Sequence, residues 1–233
     1  MRPGAVALAV SSLVVLGAGP PAPVPALPSR MADTGGGTQL ITAVAPRRAS
    51  TTGTVTWWDR GPDGRWVKRG SVPARFGANG LAAGASRKQG TNTTPTGLYG
   101  LPYAFGIKAA PRGTAYTYRR VRQDSWWCQD DDSRSYNRWS EPRAADCRAA
   151  ESEHLITFSA QYAHALVIGF NYERPVRGRG AGIFLHVNGR GPTAGCVSVP
   201  KEAMRRILVW ADPARRPHIA VGTKSGITAV TRR

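Results

Sequence analysis

Acidic residues are scarce in this chain. Its 233 residues carry 14 Asp and Glu against 32 Lys and Arg, a formal charge of +18. Cysteine occurs three times and histidine four times, too few for a disulfide-built scaffold or a cysteine-rich metal module. After residue 18 no long apolar stretch escapes interruption by charge, so no later segment reads as a membrane span. No internal period is visible, which excludes solenoids and propellers. The 27 Gly and 18 Pro are too many breakers for a helical bundle and suit short strands joined by turns. With 41% hydrophobic and 20% charged residues, the chain is globular rather than disordered.

The apolar run Ala5–Ala18 follows a single charge, Arg2, and Val24-Pro25-Ala26 then offers small residues at the positions a signal peptidase reads. Residues 1–26 therefore read as a secretory leader, 27–38 as a flexible linker with Gly35-Gly36-Gly37, and 39–233 as one domain. No transmembrane anchor is expected. A basic exported protein concentrates at polyanions such as anionic wall polymers, and nucleic acid is not expected as a partner.

Three cysteines in an oxidising compartment leave one thiol over. Cys128 and Cys147 bracket a polar stretch with too few apolar residues to order itself. A bridge between them would contribute about 3 kcal/mol by the chain-entropy account. Cys196, between Gly195 and Val197, is then the free thiol.

Extended segments are expected at Leu40–Val44, Thr54–Trp58, Trp66–Lys68, Gly97–Leu101, Leu155–Phe158, Ala165–Phe170, Gly182–Val187, His218–Val221 and Ile227–Val230. Gly61-Pro62-Asp63-Gly64 supplies turn chemistry. One helix is expected, over Lys201–Ala211, where Ala203, Met204, Ile207, Leu208 and Ala211 recur at helical spacing behind Pro200 and before Asp212-Pro213. The resulting class is mainly β, a sandwich with one main helix.

The chemistry-bearing segment precedes that helix. Ile183-Phe184-Leu185-His186-Val187 is an apolar strand with one histidine. A Gly/Pro loop, Asn188 to Pro192, then returns the chain into Thr193-Ala194-Gly195-Cys196-Val197-Ser198. The loop glycines let His186 and Cys196 meet, and an imidazolium beside a thiol would lower its pKa and favour the nucleophilic thiolate. Peptide N–H groups of Gly195 and Cys196 could face an attacked carbonyl. Tyr118, Tyr136, Asn137, Arg190, Thr193 and Ser198 stand as substrate contacts by position, and residues 124–147 as a disulfide-pinned flap. His154, His164 and His218 show no metal spacing, so neither metal nor cofactor is expected.

The segment Gly182–Val199, with Thr94-Pro95-Thr96-Gly97 upstream, resembles the L,D-transpeptidase (YkuD-like) catalytic domain of bacterial cell-wall enzymes, over most of residues 40–222. That family carries [Ser/Thr]-His-Gly-Cys-apolar-[Asn/Arg] after a histidine-bearing strand. The resemblance implies Cys196 as acyl-accepting nucleophile, His186 as its base, the Val187 carbonyl as orienter of the base, Gly195 before the nucleophile, and Thr193 at the Ser/Thr position. Ala194 and Ser198 depart from the motif, at its histidine and its Asn/Arg, and the loop from His186 is shorter than usual. Implied are a secreted, wall-associated monomer that cross-links peptidoglycan stem peptides through a Cys thioester. An L,D-carboxypeptidase and a catalytically weak wall-binding module on the same fold are the alternatives.

Overall fold

The structure is a computed structural model that describes Met1 and residues 24–232. Most of the expected leader, residues 2–23, lies outside the described residues. The chain builds strands β1 (Gln39–Ala45), β2 (Thr52–Arg60), β3 (Trp66–Arg75), β4 (Leu81–Ala83), β5 (Thr94–Gly100), β6 (Ala104–Gly106) and β7 (Tyr118–Arg120). There follow β8 (Trp126–Cys128), β9 (Arg138–Ser140), β10 (Ser152–His154), β11 (Ala165–Val167), β12 (Phe184–Val187), β13 (Val197–Val199), helix α1 (Lys201–Trp210) and β14 (His218–Thr223). The fold is mainly β with one α-helix among the described residues, as the breaker-rich composition implies.

Eleven strands form one sheet in the order β4-β5-β14-β1-β2-β3-β13-β12-β11-β6-β7, and β10-β8-β9 form a second. The β2–β3 hairpin turns where Gly64 adopts φ +77° and Asp63 accepts the Arg65 N–H, so the turn residues close it locally. Inward side chains from both parts of the large sheet meet in one core. Ile41, Ala43, Val55 and Ile219 come from one part and Leu166, Leu185, Val187, Val197 and Val199 from the other. Helix α1 completes it by burying Ala203, Met204, Ile207 and Leu208, the apolar stripe of its sequence.

Each outer face has its own cover. Over β6, β11 and β12 lies the small sheet, with Trp127 packed on Phe184 among Phe105, Leu155 and Tyr162. Over β1, β5 and β14 lie two 3-10 turns, Leu27–Arg30 and Ile227–Ala229, which bring Leu27, Met31 and Ile227 onto Leu40, Leu98 and Ala220.

Three expectations need correction. Residues 27–38 are packed on the domain: Pro28 is buried, Ala32 N–H donates to Thr228 O, and Asp33 pairs with Arg232. Leu155–Phe158 does not continue β10; Leu155 N–H bonds Ser125 O and the chain winds into a 3-10 turn at Leu155–Thr157 that buries Leu155. Ile227–Ala229 is likewise a 3-10 turn, because Thr223 Oγ1 captures the Gly226 N–H and reverses the chain. In both places a buried apolar residue reads as a strand although one side chain, rather than a strand face, is what the core takes.

The disulfide joins Cys128 to Cys147. The polar stretch it closes is ordered by charge and amide bonding. Arg148 grips Asp130 through Nε and Nη2. Asp146 accepts from Ser133 Oγ and Arg134 N–H. Asn137, at φ +57°, accepts from Trp127 Nε1 and donates to Phe170 O and Asn171 O. Replacing both cysteines by serine should cost about 3 kcal/mol in urea unfolding; a loss under about 1 kcal/mol would mean that the polar network holds the segment unaided.

Candidate active site

Strands β12 and β13 run parallel in register Leu185↔Val197, His186↔Ser198 and Val187↔Val199. Side chains alternate along a strand. Leu185, Val187, Val197 and Val199 therefore enter the main core, while Phe184, His186, Cys196 and Ser198 share the opposite face. Cys196 and His186 are diagonal neighbours on that face, each 6% exposed.

The imidazole is fixed at one nitrogen. Its Nδ1 lies 2.8 Å from Val187 O, and since a carbonyl only accepts, Nδ1 carries the proton and Nε2 keeps its lone pair. Tyr162 packs edge-on against the ring at a centroid distance of 5.5 Å. Burial pushes the His186 pKa down to about 4, opposed by the Val187 bond. At neutral pH the ring is uncharged.

The thiol of Cys196 is held on the same strand face. Cys196 Sγ accepts from Phe184 N–H at 3.3 Å and lies 3.4 Å from Gly182 O, to which the S–H donates. Cys196 is the free cysteine of the described residues. Burial pushes its pKa up to about 12 and the Glu153 charge adds to this, while the Phe184 bond and Arg87 oppose. The ion pair anticipated from sequence is thus not the resting state: desolvation disfavours both charges, and the pair rests as neutral thiol and neutral imidazole.

Thr193 organises the turn into Cys196. Its Oγ1 donates to Cys196 O at 2.7 Å and accepts the Gly195 N–H at 3.1 Å. That engages the Gly195 N–H, which the sequence reading had offered to an attacked carbonyl. Thr94 Oγ1 also approaches Cys196 O, at 3.3 Å, and accepts the Gly77 N–H. Gly195 adopts φ +143°, a conformation for which a side chain is unsuited.

Other residues expected at the substrate have structural contacts instead. Ser198 is buried and donates to Asn188 Oδ1, tying β13 to the loop after β12. Tyr118 donates to Lys108 O and packs on the main core, and none of its contacts joins it to Cys196 or His186. Asn137 accepts the Gly182 N–H and Tyr136 the Gly180 N–H, so both brace the approach to β12. Arg190 is exposed; the loop bearing it is held by Arg75, which donates to Gly189 O and Gly191 O.

Residues that sequence reasoning missed surround the thiol. Glu153 on β10 accepts from Tyr162 Oη at 2.5 Å and Gln129 Nε2 at 2.8 Å, and burial raises its pKa. Arg87 is 5% exposed and lies against the turn at Gly195. No local motif announces either, since both arrive from segments distant in sequence. Among the described residues no group of three or more His, Cys, Asp and Glu could hold a metal ion, and no helix is long and apolar enough to cross a membrane.

Comparison with known proteins supports the motif reading. The model of the YkuD L,D-transpeptidase catalytic domain matches residues 49–225. No curated protein matches the chain. Among solved structures, the helical cell shape determining protein Pgp2 from Campylobacter jejuni is similar at 12% identity and a TM-score of 0.43, over 85% of this chain and 54% of that one. The chain thus spans about half the length of that protein. With a family match across most of the domain and a free cysteine and histidine on one strand face, the chain belongs to the YkuD L,D-transpeptidase catalytic domain family.

Proposed function

We propose that the chain is an extracytoplasmic peptidoglycan L,D-transpeptidase in which Cys196 is the nucleophile and His186 the base. The observation that carries this reading is the locked imidazole: with Nδ1–H on Val187 O, Nε2 keeps its lone pair on a residue that shares a strand face with the free cysteine. Family membership supports the reaction class and stem peptides as substrates, and the disulfide fits an oxidising compartment.

In this mechanism the thiol leaves Gly182 O and passes its proton to His186 Nε2 as Sγ attacks the donor carbonyl. The tetrahedral intermediate collapses to a thioester, and the proton held by His186 goes to the departing amine of the terminal D-residue. An acceptor amine then attacks the thioester, gives its proton to His186 and restores the thiol. The thioester conserves the energy of the broken amide, so no nucleotide is consumed. Exchange through a neutral pair suits this site, because charge appears only in passage and never has to be stored in a dry cavity.

Incubation with a penem-type β-lactam or a stem-peptide donor should add one covalent mass, read by intact-protein mass spectrometry and abolished in Cys196→Ala. His186→Gln should slow its formation by about 10²-fold or more, the usual contribution of a general base. An adduct that persists in Cys196→Ala would remove Cys196 from the role. The pH dependence follows from the two shifts. His186 stays a base above about pH 4, and Cys196 stays a thiol up to about pH 12. The acylation rate should therefore be flat between about pH 5 and pH 9. A rate that rises tenfold per pH unit below pH 7 would contradict the neutral pair.

A further inference from the structure

Arg87 stands in the segment between β4 and β5, far in sequence from the catalytic turn. Its guanidinium is nearly inaccessible, at 5% residue exposure. Nε donates to Thr93 O at 2.8 Å and Nη1 to Arg179 O at 3.1 Å, while Phe170 lies beneath the group at 5.7 Å. Among the described residues it has no ion-pair partner: each of the salt bridges present uses another cation. A buried arginine without a carboxylate is costly.

Its neighbours indicate the use. A Cβ placed on Gly195 would come within 2.9 Å of Nη2, so the guanidinium lies directly against the glycine before Cys196. Gly180 likewise lies close to Nη1. Thr93 O, which Arg87 holds, is 3.0 Å from the same point on Gly195. The guanidinium is thus wedged against the turn from Gly195 into Cys196. At the Asn/Arg position of the family motif this chain has Ser198, whose hydroxyl is committed to Asn188.

We propose that Arg87 is the cation of the nucleophile turn, supplying the positive charge that balances the anion formed at Cys196 as its proton leaves and the oxyanion that follows. The role rests on the reading of Cys196 as nucleophile, and it is transient: in the resting site Cys196 is a neutral thiol. The groups acting on the thiol are Tyr162 from the segment before β11, Glu153 from β10 and Arg87, with His186 of β12 on the same strand face, and Arg87 is the one that carries a permanent positive charge.

Alkylation by iodoacetamide under non-reducing conditions tests this without any substrate. Cys128 and Cys147 are bridged, so the added mass reports Cys196. Between pH 8 and pH 10, Arg87→Gln should react about tenfold more slowly than the parent, the effect of one unit in thiol pKa. Arg87→Lys, which keeps the charge, should stay within about threefold. Thermal melting checks that each variant is folded. A folded Arg87→Gln that alkylates at the parent rate overturns the proposal. So does an Arg87→Lys that is folded yet tenfold slow, since that would make bracing of Thr93 and Arg179 the residue's whole contribution. If Arg87→Gln does not fold, Arg87→Met, which also removes the charge, takes its place beside Arg87→Lys with the same two outcomes. A charge-dependent thiol that accepts no acyl donor would uphold Arg87 while refuting the transpeptidase reading, and an acylated thiol indifferent to charge would do the reverse.

Discussion

The parallel ladder between β12 and β13 is the constraint on which the site depends. A strand alternates its side chains, so a one-residue slip of this pairing would send His186 or Cys196 into the aliphatic core and bring Val187 or Val197 to the other face. The register is held from both sides. Four aliphatic residues of the pair are locked among Ile207, Leu208 and Leu166, and Ser198 on β13 is tied to Asn188 beyond β12. Packing energy on one face is thus what keeps His186 and Cys196 together on the other.

The small sheet makes that second face dry. Trp127, Leu155 and Tyr162 pack over Phe184 and Cys196, while the Cys128–Cys147 bridge and the Asp130–Arg148 pair anchor the sheet's connecting stretch. Dryness has a price in charge: an imidazolium and a thiolate are both disfavoured there, so the resting pair is neutral. It also strengthens whatever dipoles and charges remain, which is where the Val187 carbonyl, the Phe184 N–H and Arg87 act. Glu153 pulls the other way, raising the thiol's pKa, and its bonds to Tyr162 and Gln129 connect the cover to the ring that packs on His186.

Much of the architecture was legible from pattern. The helix follows from apolar residues at helical spacing, the bridge from two cysteines around a polar stretch, and the mainly β class from breakers and β-branched runs. What escaped is long-range. Arg87 and Glu153 reach the thiol through sheet topology, which no local spacing encodes. Asn137 looks like an exposed loop amide but satisfies Trp127, Gly182, Phe170 and Asn171 together. Ser198 looks like a substrate contact because the motif position suggests one, whereas its register gives it Asn188. Leu155 and Ile227 read as strand because burial of a single side chain and burial of a strand face leave the same apolar trace in a short window. The glycines at 35 to 37 read as linker, yet Gly35 and Gly37 are buried where the chain passes close to His218 and Arg216.

The protonation state of His186 in the folded protein tests the neutral pair most directly, and ¹⁵N-resolved NMR of the imidazole reads it. The account predicts a neutral ring protonated at Nδ1 at pH 7, unchanged on acidification to about pH 5 and titrating near pH 4. A ring protonated at both nitrogens at pH 7, losing its proton only above that pH, would reveal a resting thiolate–imidazolium pair and contradict it.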